Sequence, residues 1–206
     1  MSALDKLAAF WNQRYAAEGF AYGTAPNDFL ASVAGQFARG GQLLCLADGE
    51  GRNGVWLARQ GFEVTSVDIA QRGLDKAARM AVEHGVAIRT QAADLGSFDL
   101  GLSAWDGIVS IFAHLPPRVR RDLHARCVAG LKPGGLMVFE AYGPGQLGRG
   151  TGGPPEAELL PALADIEQEL VGCLILHRFS GLREVQEGRH HTGLGEVVQI
   201  LAQKKA

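Results

Sequence analysis

The sequence predicts a single doubly wound α/β domain whose mostly parallel, seven-stranded sheet ends in a C-terminal antiparallel hairpin. Short apolar runs alternate with segments of helical period, and a glycine-rich turn joins the first run to the first helix. The last two extended stretches have only a short polar turn between them. Alternation implies right-handed crossovers and parallel pairing, whereas two strands without a crossover must pair antiparallel.

Each element can be justified in turn. Residues 42–47 (QLLCLA) are nearly all apolar, as a strand buried on both faces requires. A helix follows over about 52–60, stopped by Gly61. Residues 62–67 (FEVTSV) are β-branched and form the second strand, ending at Asp68. A helix over about 70–84 carries Leu74, Ala78 and Met80 to Val82 on one side and stops at Gly85. Residues 86–90 (VAIRT) read as the third strand and 105–112 as the fourth. Pro116-Pro117 opens a helix with Val119, Leu123, Cys127 and Leu131 in its apolar stripe. Residues 136–141 make the fifth strand, a helix covers about 156–170, and extended stretches over 173–186 and 196–203 complete the sheet.

A chain of 206 residues with 47% hydrophobic composition suits one domain with a substantial core. The net charge of −2 gives no field for nucleic acid, and Arg118, Arg120 and Arg121 read as a solvated helix face. The cysteines Cys45, Cys127 and Cys173 fit neither a disulfide framework nor a zinc spacing, so no metal and a reducing cytoplasm are expected. Neither a secretory signal nor an apolar run of about 18 residues is present, so no membrane partner is expected either.

Residues 49–54 (GEGRNG) fit the G-x-G-x-x-G pattern directly after a strand, and Asp68 ends the next strand. In a doubly wound sheet both lie at the carboxyl edge, where ligands bind, and a carboxylate there can accept from the ribose hydroxyls of an adenosine ligand. Asp48 and Glu50 argue against a pyrophosphate in the loop and for a cationic ligand such as S-adenosylmethionine, with Arg52 partly offsetting them. An NAD-dependent oxidoreductase remains the first alternative, and a non-catalytic protein that binds S-adenosylmethionine the second. Asp94 either accepts from the adenine amino group or caps a turn.

The chain resembles class I S-adenosylmethionine-dependent methyltransferases, especially a small bacterial group related to tellurite-resistance and thiopurine methyltransferases. The resemblance is carried by residues 11–30, 43–77, 112–117 (FAHLPP), 130–135 (GLKPGG), 151–154 (TGGP) and 187–193 (EGRHHTG). It implies a Rossmann-like core over 42–206, a helical cap over 1–38, and S-adenosylmethionine as donor with S-adenosylhomocysteine as product. It also implies a donor site formed by Arg14, Tyr15, Tyr22, Ala47, Gly49, Gly51, Asn53, Asp68, Ile69, Asp94, Leu95 and Ser110. Cys45 stands where an acidic residue is frequent, and Ala47 replaces the usual first glycine, narrowing the space for the methionine moiety.

Methyl transfer from a sulfonium requires alignment and exclusion of water more than a dedicated base. If a base exists, His114 after the fourth strand is the first candidate, and His191, with its neighbour His190, the second. The competing reading of each is a hydrogen-bonded loop residue. Glu140 and Tyr142 are expected to line the pocket of a small-molecule acceptor, a thiol or a tellurium or selenium oxyanion. Residues 143–155 form either a lid or an idle surface loop.

Overall fold

The computed structural model describes residues 2–206. Its sheet contains β1 (Gln42–Leu46), β2 (Glu63–Asp68), β3 (Arg89–Ala92), β4 (Trp105–Ile111), β5 (Leu131–Tyr142), β6 (Cys173–Glu187) and β7 (His191–Lys204). The spatial order is β3-β2-β1-β4-β5-β7-β6, with β7 antiparallel to both of its neighbours and the first five strands parallel. This is the predicted doubly wound sheet with its closing hairpin. The helices are α1 (Ala3–Arg14), α2 (Asp28–Val33), α3 (Arg52–Arg59), α4 (Gln71–Glu83), α5 (Pro117–Gly130) and α6 (Leu163–Glu169).

Strand alternation divides the core. Leu43 and Cys45 of β1 face one side with Leu57 of α3, while Leu44 and Leu46 face the other with Leu123 and Cys127 of α5. The turns that return the chain from helix to strand at the opposite, amino edge are equally local in origin. Gly61 (φ 92°) and Gly85 (φ 70°) follow α3 and α4 in the left-handed region, where a side chain would be strained. At the other end of the chain, Ser2 and Asp5 close a reciprocal capping box on α1 (Asp5 N–H to Ser2 Oγ 3.1 Å, Ser2 N–H to Asp5 Oδ2 2.7 Å).

Four expectations change. The third strand lies at 89–92 rather than 86–90, because Val86 and Ile88 pack against Val55 and Met80 on the way to an exposed edge. The helix expected over 156–170 is a 3₁₀ turn at Ala157–Leu159 followed by α6, since Pro161 has no N–H to continue it. Leu131 belongs to β5, opposite Trp105, and not to the helix before it. Arg120 is buried, not solvated: its Nη2 donates to Glu169 of α6 at 2.8 Å and its Nε to the same carboxylate. Glu169 also faces His124 Nδ1 at 2.8 Å, so one carboxylate joins two residues of α5 to α6.

Candidate active site

The glycine loop owes its shape to three left-handed residues in a row of five: Ala47 (φ 50°), Gly49 (φ 56°) and Gly51 (φ 84°). Ala47 occupies a conformation that glycine adopts freely, at a cost of about 1–2 kcal/mol for a residue with a Cβ. Asp48 is turned under the loop. It accepts from Ser66 Oγ at 2.6 Å and from Gly54 N–H at 3.3 Å, and burial pushes its carboxyl up to about 7. Glu50 accepts from Ala21 N–H and from Lys76 Nζ, each at 2.7 Å. Both acids are therefore consumed internally, and the repulsion of a pyrophosphate expected from them does not hold. Asp68 is buried at the end of β2, with Oδ2 accepting from Gly49 N–H (2.9 Å) and Oδ1 from Ala70 N–H (2.8 Å). Each oxygen retains acceptor capacity.

The N-terminal segment lies against this loop. A Cβ built on Gly49 would meet Tyr15 Oη at 2.6 Å, so Tyr15 covers the loop and only glycine leaves it room. Trp11 stacks on Tyr15 (centroids 5.7 Å apart), and Arg14 Nη1 donates to Tyr22 Oη at 3.3 Å. Asn53 is not directed into open space: its Oδ1 accepts from Asn27 N–H at 2.9 Å. Asp94 caps its own turn through Gly96 N–H (2.9 Å), yet the adjoining Ala93 N–H donates to Asp68 O at 3.0 Å and brings the turn to the site's edge. Ile69 is half-buried beside Asp68, Leu95 is buried, and Ser110 lies inside the sheet between Leu46 and Phe139. Tyr15, Gly49 and Asp68 thus come together, with Arg14, Tyr22, Ile69 and Asp94 around them and Ser110 behind.

The other half of the edge is a cluster of rings. Phe112 (φ 52°) is strained for an aromatic residue and stands 4.7 Å, centroid to centroid, from both Tyr142 and His191. His114 stacks on Tyr142 at 5.9 Å, and Tyr22 meets His191 at 4.7 Å. His114 Nδ1 lies 3.1 Å from Leu159 O; a carbonyl only accepts, so Nδ1 carries the proton and Nε2 a lone pair. That Nε2 is buried and has no partner among the described residues. Burial pulls His114 down to about 4, and His191 is likewise held below the usual histidine range. Glu140 does not meet an acceptor, because Arg183 Nε (2.8 Å) and Gln199 Nε2 (2.9 Å) engage it. The 143–155 loop is latched: Gln146 Nε2 donates to Thr151 Oγ1 and Gly152 O (both 2.9 Å), and Glu196 N–H donates to Gln146 Oε1 (2.9 Å). Its Gly152 lies flat on Tyr142 and His191, where a Cβ would meet Tyr142 Oη at 2.6 Å.

A consequence of the neutral imidazole is measurable. The unfolded chain binds a proton at His114 near pH 6.5 and the folded chain only near 4, so stability present above 6.5 is lost as pH falls towards 4. The loss should reach about 3 kcal/mol at about 1.4 kcal/mol per unit. Urea unfolding across this range should show it in the wild type and a shallower slope in His114→Asn; equal slopes would refute it.

Residues 43–135 match a family model described as a methyltransferase domain. That segment, a little under half of the chain, carries the likeness to a methyltransferase domain, and S-adenosylmethionine-dependent methyltransferases are among the solved structures that share the fold. The methyltransferase is similar in structure to a protein of echinomycin biosynthesis, where a disulfide bond is converted into a thioacetal group (TM-score 0.78, 16% identity, 99% of this chain and 92% of that one covered). It is similar also to TehB from Haemophilus influenzae (TM-score 0.73, 17% identity, covering 96% and 67%) and to the cyclase SpnF (0.71, 15%, 100% and 98%). At these identities the likeness concerns the fold, and a cyclase among the neighbours shows that the fold hosts more than one chemistry. No curated protein matches the methyltransferase in sequence. Among the described residues no helix is long and apolar enough to cross a membrane.

The residues that sequence reasoning missed are Asn27, Gln146 and Glu187. Glu187 belongs to the EGRHHTG stretch on which the resemblance partly rests, but its partners Arg52 and Asn27 are 135 and 160 residues away in the chain.

Proposed function

We propose that the methyltransferase moves the methyl group of S-adenosylmethionine to a small, soft nucleophile bound among Phe112, His114, Tyr142 and His191. On this reading the 1–38 segment covers the donor and the 42–206 core carries the sheet. Asp68 accepts from the ribose hydroxyls, Gly49 and Gly51 let the backbone approach, and Tyr15 and Tyr22 close the site. The bare backbone at Gly49 supports this fit, because it lets Tyr15 Oη close directly on the loop, 2.6 Å from where a Cβ would stand. The bound donor supplies a methyl already activated on a sulfonium. The chain's own residues align the acceptor with it and keep water out.

The observation that carries the reading is the Nε2 of His114, without a partner among the described residues, in a ring that belongs to the cluster on the same edge as Asp68. With its lone pair committed to accepting, it favours an acceptor that brings a hydrogen, a thiol, over a tellurium or selenium oxyanion, which it would repel. Because His114 is a weak base at about 4, its role is to orient the entering thiol by accepting from its S–H. The thiol gives that proton up to water before the site closes and attacks as the thiolate, its bond to the methyl forming as the methyl's bond to the sulfonium sulfur breaks.

The test measures S-adenosylhomocysteine formation with thiols of falling pKa, in the wild type and in His114→Asn, beside calorimetry with S-adenosylhomocysteine and NAD. A penalty of about 5- to 10-fold, the value of one neutral hydrogen bond, is expected for thiols that bind protonated, and a smaller one for those already ionised. A penalty that climbs to about 10²–10⁴ for the least acidic thiols would make His114 a general base. Turnover of tellurite or selenite with no thiol accepted would reverse the choice of acceptor, and binding of NAD alone would reject the donor.

A further inference from the structure

We infer that Glu187 is a positioning residue that makes closure over the donor and placement of His191 a single event. The inference rests on the donor site proposed above. Glu187 ends β6 and pairs with His191 across a three-residue turn, Gly188 to His190. Its Oε2 accepts from Arg52 Nη2 at 2.6 Å, and Arg52 is the first residue of α3, directly after Gly51. Its Oε1 accepts from Asn27 Nδ2 at 2.9 Å, and Asn27 caps α2 within the N-terminal segment. Arg183 Nη2 stands 3.4 Å from the same oxygen, and His191 Nδ1 lies 3.6 Å from Oε2. One carboxylate, 5% exposed, therefore joins the glycine loop, the covering segment and the turn that bears His191.

The backbone repeats the connection on both sides of that turn. Arg189 N–H donates to Ala21 O at 2.9 Å, and Gly188 packs so closely on this segment that a Cβ would meet Ala21 O at 2.5 Å. On the acceptor side, Thr192 N–H donates to Thr151 O at 3.0 Å, and a Cβ at Gly152 would meet His191 Cδ2 at 2.8 Å. The turn is thus held between the segment over the donor and the loop over the rings. Burial would raise the Glu187 carboxyl, but His191 and Arg52 hold it down at about 2, so the latch stays charged at working pH. A glycine loop displaced from its place carries Arg52 with it, and Glu187 transmits the displacement to the turn. A ligand that settles the loop settles the His191 wall by the same link.

Hydrogen exchange of the full chain with S-adenosylhomocysteine as probe tests this without knowledge of the acceptor. In the wild type the probe should slow exchange at 49–54 and at 188–193 with one common midpoint. In Glu187→Gln, which keeps the shape and removes the charge, protection at 49–54 should persist while protection at 188–193 falls about 10-fold, within the usual range of coupling between sites. A purely structural role would lower protection at both segments with and without the probe. Asn27→Ala, which leaves the Arg52 pair intact, should lose the coupling in part and decides the matter if Glu187→Gln does not fold. Wild-type protection at both segments in Glu187→Gln, or in Asn27→Ala should that variant have to decide, overturns the inference. Absence of any protection at 49–54 in the wild type overturns the donor site itself.

Discussion

Asp68→Ala should weaken binding of S-adenosylhomocysteine by about 1–3 kcal/mol, the range for hydrogen bonds to a charged group. The same substitution should also lower stability, because Gly49 N–H and Ala70 N–H both donate to that carboxylate and would be left buried without acceptors. Each orphaned donor costs about 1–3 kcal/mol, and in a domain of this size each kcal/mol moves Tm by about 2–4 °C. Asp68→Asn keeps one acceptor oxygen and should recover part of the stability. Calorimetry and thermal melts on both variants check the two effects separately. An unchanged dissociation constant in Asp68→Ala would remove Asp68 from the donor site, whatever happened to Tm.

Gly51→Ala should be the more disruptive change to the fold. Gly51 has φ 84°, and a Cβ there would lie 2.9 Å from Ala77 Cα and closer still to Ala77 Cβ, and Ala77 of α4 is fully buried. The left-handed backbone costs about 1–2 kcal/mol and overpacking a buried contact about 1–3 more. Gly61→Ala supplies the control: φ is 92° and nothing stands within 4 Å of the added atom, so only the backbone penalty applies. A melt in which the two variants lose the same Tm would show that the α3–α4 contact relaxes freely around Gly51.

The order of strands and helices was legible because it rests on local pattern. The closing hairpin followed from the absence of a crossover between 173–186 and 196–203, and the structure pairs those strands antiparallel. Errors arose where the outcome depended on a distant partner. Arg120 read as solvated because nothing nearby in sequence shows that Glu169, 49 residues on, will meet it inside the protein. The partners of the glycine loop's charges were not legible for the same reason, since Lys76, Ser66 and the Ala21 amide engage them from elsewhere in the chain, although the donor those charges pointed to was S-adenosylmethionine. His114 was found as a residue of interest from its place after a strand. Its tautomer was not legible, because Leu159 O fixes it from another loop. Pro161 is a different kind of miss: it was visible in the sequence, and its missing N–H should have divided the helix drawn through it.

The interior place of β7 bears on how the chain is made. Val197, Val198 and Ile200 are fully buried, and β5 pairs with β7 over Leu136–Tyr142. As synthesis proceeds from the amino end, the first five strands can assemble while β5, with Val138 and Phe139 among its residues, still presents an open apolar border. That border stays unsealed until the final hairpin emerges and wedges its second arm against it, and an open strand edge is a template for pairing with another nascent chain. A long edge partner, β6, must then be left outside, and its rim exposes Leu174, Leu176, Phe179 and Leu182 with Arg178 and Glu184 as charges among them.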